Sequence, residues 1–194
     1  VSFSSAGTLA NVTVRDSTAF DFGAALTLAS GGDLIVTAGG DVTQTGGALT
    51  VPGTTTIEAA SNTVTLSNSS NNFTGAVSIK ALTVDLEDAG AIVLGASEVT
   101  GNYLVTAAGA VTQSGALGIA GTTTISANGQ NITLASTGND FENAVIVTGA
   151  NVALVDANAI DLGTSTLSGT FDVTAKAGNI TQSGNLTVAN ASTS

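Results

Sequence analysis

Three tripeptides in this chain recur at one spacing: Val42-Thr43-Gln44, Val111-Thr112-Gln113 and Ile180-Thr181-Gln182, with 111 − 42 and 180 − 111 both equal to 69. A fixed period over most of 194 residues marks a repeat architecture, in which each unit packs mainly against its neighbours. The echo extends further. Gly53-Thr54-Thr55-Thr56-Ile57 returns as Gly121-Thr122-Thr123-Thr124-Ile125, and Ala91-Ile92-Val93-Leu94-Gly95 returns as Ala159-Ile160-Asp161-Leu162-Gly163, both at an offset of 68. An earlier copy of the second motif reads Ala19-Phe20-Asp21-Phe22-Gly23. Residues 1–194 are therefore expected to form a single segment holding nearly three copies of one 69-residue unit.

Within the unit, short runs of alternating apolar residues are punctuated by Gly, Asn, Asp and Ser, the pattern of strands and turns. Val36, Ile57, Ile79, Val105, Ile125, Val147 and Val173 read as one equivalent position, which divides the unit into three coils averaging 69/3 = 23 residues. A second strand in each coil begins at Val42, Val64, Val84, Val111, Ile132, Val152 and Ile180. A third lies around Leu49, Phe73, Ile92, Leu117, Phe141, Ile160 and Leu186. No run carries a sustained helical period. The expected fold is all-β: a parallel β-helix (β-solenoid) with three short strands per coil and about eight coils, right-handed by the general preference of parallel crossovers. Stacked coils line up their inward side chains into one apolar column that a single coil could not bury.

Charge then limits the partners. The cations are Arg15, Lys80 and Lys176 against fourteen acidic residues, a net charge of −11. A phosphate backbone needs clustered Lys and Arg, so nucleic acid is excluded, and anionic membrane surfaces are disfavoured for the same reason. No run of about twenty apolar residues offers a membrane span. With no cysteine, disulfides and thiolate metal sites are absent.

The acidic residues are the candidates for chemistry. Sugar-cleaving solenoids use paired carboxylates, and Glu87-Asp88 is the pair on offer. Yet Asp16, Asp88 and Asp156 each stand seven residues before a glycine (Gly23, Gly95, Gly163), the behaviour of a corner residue bonding its own backbone. The chain also lacks His and Trp, and Tyr103 shares an inward position with Phe171. Calcium would need six to eight oxygens; Asp85, Glu87 and Asp88 form one loose set, and Asn139, Asp140 and Glu142 another. Neither set suffices alone. No residue is therefore assigned a catalytic, cofactor-binding or metal-ligating role. Gln44, Gln113 and Gln182 are expected to satisfy backbone groups at one corner, and Ser67-Asn68-Ser69-Ser70-Asn71-Asn72 to form a projecting turn.

Segments such as Ala107-Ala108-Gly109-Ala110-Val111-Thr112-Gln113-Ser114-Gly115 and Ala177-Gly178-Asn179-Ile180-Thr181-Gln182-Ser183-Gly184 resemble the repeats of large filamentous-haemagglutinin-type exoproteins. Leu34-Ile35-Val36-Thr37-Ala38-Gly39-Gly40-Asp41-Val42-Thr43-Gln44 is similar to them too. The resemblance implies a piece of a longer secreted bacterial protein, folded as a right-handed β-helix and displayed outside the cell at its surface, often for adhesion. The expected role is that of a non-enzymatic stalk or passenger segment, flanked by neighbouring repeats of the parent chain and open to contact with host-cell or surface glycans. A second reading is a filament subunit stacking end to end, since Val1-Ser2-Phe3-Ser4 looks strand-like and Asn190-Ala191-Ser192-Thr193-Ser194 carries no charged cap. A carbohydrate-active β-helix enzyme is the remote alternative.

Overall fold

The computed structural model describes residues 9–189, which form short parallel strands without any helix. The Val1–Ser4 and Asn190–Ser194 segments considered above lie outside the described residues. The strands arise from strict alternation. In Leu34–Ala38, Leu34, Val36 and Ala38 are buried while Ile35 and Thr37 face out. Each strand then lies beside the strand one coil away and exchanges evenly spaced parallel-ladder hydrogen bonds with it.

Two long sheets run the length of the molecule, each along a path of nine strands. One runs from Val12–Asp16 to Phe171–Ala175, the other from Phe20–Asp21 to Ile180–Gln182. A short third sheet joins Leu26–Thr27, Leu49–Val51 and Asn72–Phe73. The solenoid thus makes about nine turns with three strands per coil, one turn more than a 23-residue coil implies. The coils are shorter than that: the register step is 22 residues from Val12 to Leu34 and 17 from Val77 to Leu94. Nine stacked strands span about 38 Å. One continuous apolar core fills the interior, with Phe20, Phe22, Phe73, Tyr103 and Phe141 among its largest fully buried side chains.

The equivalence read from sequence holds in pieces. Val36, Ile57 and Ile79 do sit one above another in the first sheet, and Val105, Ile125 and Val147 do so in the second. Val105, however, lies over Leu86 rather than Ile79. The break has a structural cause. Strand Ala76–Ala81 carries two successors: its start pairs with Ile92–Leu94 and its end with Ser97–Val99. In the same turn the short sheet ends at Asn72–Phe73. One face stops as another divides. The event repeats at Val145–Gly149, which is followed by both Ile160–Leu162 and Ser165–Leu167, while Asp140–Phe141 ends its own stack.

A unit therefore spans three turns plus the step from one sheet to the next. Thr55–Glu58 lies in the first sheet and its counterpart Thr123–Ser126 in the second. Val42–Thr43, Val111–Gln113 and Ile180–Gln182 lie in the second, first and second sheets in turn. The three glutamines thus mark different sides of the wall, not one corner.

One corner is strained. Ala60 adopts φ = 43°, the left-handed region that penalises a Cβ, and its counterpart 68 residues on, Asn128, adopts φ = 44°. Asparagine tolerates this conformation better than alanine. Ala60→Asn is expected to raise stability by about 0.5 kcal/mol, read as an upward shift in the thermal midpoint.

Candidate functional site

The most elaborate polar construction in the molecule stands where a face ends. Asn71 is fully buried just before the last strand of the short sheet. Its amide pairs reciprocally with Gln44: the Gln44 Nε2 donates to Asn71 Oδ1 at 2.7 Å, and the Asn71 Nδ2 donates to Gln44 Oε1 at 2.9 Å. Asn71 Oδ1 also accepts from the Leu49 backbone N–H, and its Nδ2 donates to the Leu66 carbonyl. One unit later the arrangement recurs with Gln113 and Asn139, at 2.7 Å and 3.0 Å. There Asn139 accepts from the Leu117 N–H and donates to the carbonyls of Leu134 and Val155. Each glutamine in turn donates to a nearby corner carbonyl, Gly47 for Gln44, Gly115 for Gln113 and Gly184 for Gln182. This is the backbone-satisfying role expected for them.

An aspartate closes each ended face from above. Asp88 accepts from the Phe73 N–H at 2.7 Å with one oxygen and from the Gly90 N–H at 2.7 Å with the other. Asp156 treats Phe141 and Asn158 alike, at 2.8 and 2.6 Å. Asp16 makes the corner bond to the Thr18 N–H. The corner bond of all three was legible in the recurrence. The second bond, which satisfies an N–H that would otherwise point past the end of a sheet, was not.

Burial pushes the Asp88 carboxyl above its ordinary value, against the opposing pull of the Phe73 and Gly90 N–H groups. A folded-state value above the unfolded one favours the protonated acid in the fold. Its stabilising effect is then fully present below the unfolded value near pH 3.8 and is lost as pH rises through the raised folded value. The stability difference between the native chain and Asp88→Asn is expected to shrink as pH climbs from about 3 to about 6, measured by urea midpoints.

Other candidates are dispersed. Glu87 and Asp88 are neighbours on one strand and point to opposite sides, Asp88 inward and Glu87 outward, so they form no facing carboxylate pair. The same alternation separates Asp88 from Asp85. In the second set Asn139 is locked inside by Gln113, Asp140 accepts from the Asn158 amide, and Glu142 is exposed. No group of three or more Asp, Glu, His or Cys able to hold a metal occurs among the described residues. Asn71, expected in a projecting turn, instead faces inward; its spacing of 27 from Gln44, echoed by 26 between Gln113 and Asn139, was the signal available in the sequence.

Open troughs mark the outer wall, and two of them lie beside charged residues. The larger, about 460 Å³, lies where the first face divides and includes Glu58, Ser78, Lys80, Glu98 and Gly118. In it Lys80 and Glu98 are joined by an ion pair at 2.5 Å. The smaller, about 340 Å³, lies on the second sheet between Thr83, Asp85, Asn102, Leu104 and Thr124. Among the described residues no helix is long and apolar enough to cross a membrane.

A family model described as repeats of unknown function (DUF5649) matches the chain three times in succession, over residues 9–80, 81–148 and 149–194. Its internal boundaries fall within Ala76–Ala81 and at the end of Val145–Gly149, the two strands at which a face divides. No curated protein and no solved structure matches the chain. With nearly its whole length matched, the chain belongs to the DUF5649 family of repeats.

Proposed function

We propose that this chain is a mechanical element: a non-enzymatic stalk or passenger segment of a large secreted bacterial surface protein of the filamentous-haemagglutinin-like adhesin kind. One observation carries the reading. The side chains that return with every unit, the glutamine, the buried asparagine and the corner aspartate, are engaged in closing the wall. Counterparts also alternate between the two long sheets, so a recurrent residue does not build a row of identical sites along one side. Repetition of this kind makes length. A rigid rod of stacked coils holds distal parts of a parent chain at a fixed distance from the cell.

The test is an in-frame removal of one matched unit, residues 81–148, from the parent protein on its native cell. The stalk reading expects attachment by the distal region to persist at a shorter reach. Loss of attachment with the distal region still folded and displayed would overturn it.

A second reading is end-to-end assembly of such solenoids into filaments. Concentration-dependent rods in electron micrographs support it; a strictly monomeric sedimentation profile removes it.

A further inference from the structure

We propose that the 340 Å³ trough on the second sheet is a binding site for a neutral, hydroxyl-rich ligand, a single sugar residue of a glycan, received by Asp85, Asn102 and Leu104. The proposal stands whether or not the solenoid serves as a stalk.

Asp85 is the anomaly that points to a ligand. Asp16, Asp21, Asp33, Asp88 and Asp156 all accept hydrogen bonds from the coil next to them or from their own corner. Asp85 faces outward between Thr65 and Leu104 of the adjoining coils and has no hydrogen-bond partner. It is half-buried, and that partial burial raises its pKa with nothing to offset the desolvation. The wall does not demand a carboxylate here. In the unit before, the position holds Thr13, which pairs with Ile35 as Asp85 pairs with Leu104. In the unit after it holds Ala153, paired with Asp172. A group that weakens the wall and departs from its own repeat is explained by something it receives.

The surroundings state what that is. Asn102 spends its carbonyl oxygen on the Thr122 N–H, which leaves its amide N–H groups free to donate. The hydroxyls of Thr83 and Thr63 bond one another, and that of Thr124 is unengaged. Leu104, 37% exposed, supplies one apolar surface beside these polar groups. A lone acceptor carboxylate, amide donors, hydroxyls that both give and take, and one aliphatic platform match a sugar, whose ring presents hydroxyl donors at its edge and C–H groups on its face. A metal ion would need several more anionic oxygens than this single carboxylate. The larger trough lacks this character, because Lys80 and Glu98 already neutralise each other.

The experiment is a titration of the isotope-labelled chain with free glucose, galactose and N-acetylglucosamine, followed by amide chemical shifts. At least one sugar is expected to give saturable shifts confined to the amides around Asp85, Asn102 and Leu104, with a dissociation constant in the millimolar range suited to so small a ligand. Asp85→Thr, which installs the residue of the preceding unit, is expected to weaken that binding about tenfold or more while leaving the thermal midpoint equal or higher. The raised or unchanged midpoint separates loss of a ligand contact from loss of fold. No shift by any of the three sugars well above millimolar concentration, undiminished binding by Asp85→Thr, a lowered midpoint for that variant, or saturation by methylammonium in place of sugar would each overturn the proposal.

Discussion

Asn139→Leu is expected to lower the unfolding free energy by about 3 to 5 kcal/mol, read as a large drop in the urea midpoint. The substitution keeps the branched heavy-atom shape but deletes the whole amide from a site with no solvent access. The Leu117 N–H loses its acceptor and the Gln113 side chain loses its partner on both atoms. The carbonyls of Leu134 and Val155 also lose a donor. An unsatisfied buried polar group costs about 1 to 3 kcal/mol, and at least two are created here.

The double variant Asn139→Leu with Gln113→Leu discriminates this cause from simple misfit. If the amide pair is the source of the effect, each single change breaks the same two hydrogen bonds, and the double variant loses them only once. The combined loss then falls short of the sum of the two single losses by about 1 kcal/mol or more. Strict additivity would assign the effect to packing around Leu117 and not to the reciprocal pair.

How much of this was legible beforehand depends on what a linear pattern can encode. Alternation gave the strands, since Leu34, Val36 and Ala38 point inward for the same reason in sequence and in space. The 69-residue echo gave the solenoid. What it could not give was the angle through which one unit turns. Dividing 69 by three treats the unit as a whole number of coils, but residues are counted along the chain while strands pair across it. The strand Ala76–Ala81, with a successor over each end, belongs to no simple period. For the same reason Val84 and Tyr103, which occupy different places within the unit, are partners in space. Asn71 was misplaced because a run of Ser and Asn reads as solvated. Its burial follows from a glutamine 27 residues earlier that lies within hydrogen-bond reach only after the coil has closed.

That geometry yields the sharpest test, because a rule about coils and a rule about units disagree over which deletion the fold tolerates. Removing residues 81–148 takes out three turns plus the step between sheets, so every later strand lands on the other long sheet. The join nonetheless sets Asp156 where Asp88 stood, with the Phe73 N–H to accept from and the Gln44–Asn71 pair intact below. A folded, shorter solenoid is expected, with β-rich circular dichroism and a cooperative melt. Removing residues 103–144 instead takes out two whole turns and keeps every remaining strand on its own sheet, since Tyr103 and Val145 both stack in the second. A coil rule favours this second deletion. Yet it deletes Gln113, Asn139 and Phe141 together: Asp156 then stands over Val99, which shares the register of Phe141, but no buried glutamine–asparagine pair ties off that face and the Val155 carbonyl loses its donor. A buried polar group left unsatisfied costs about 1 to 3 kcal/mol, so this shorter deletion is expected to melt below the longer one. The reverse order of melting would mean that stacking of coils alone decides the fold. The asparagine and aspartate that end each face would then be dispensable ornaments of the wall.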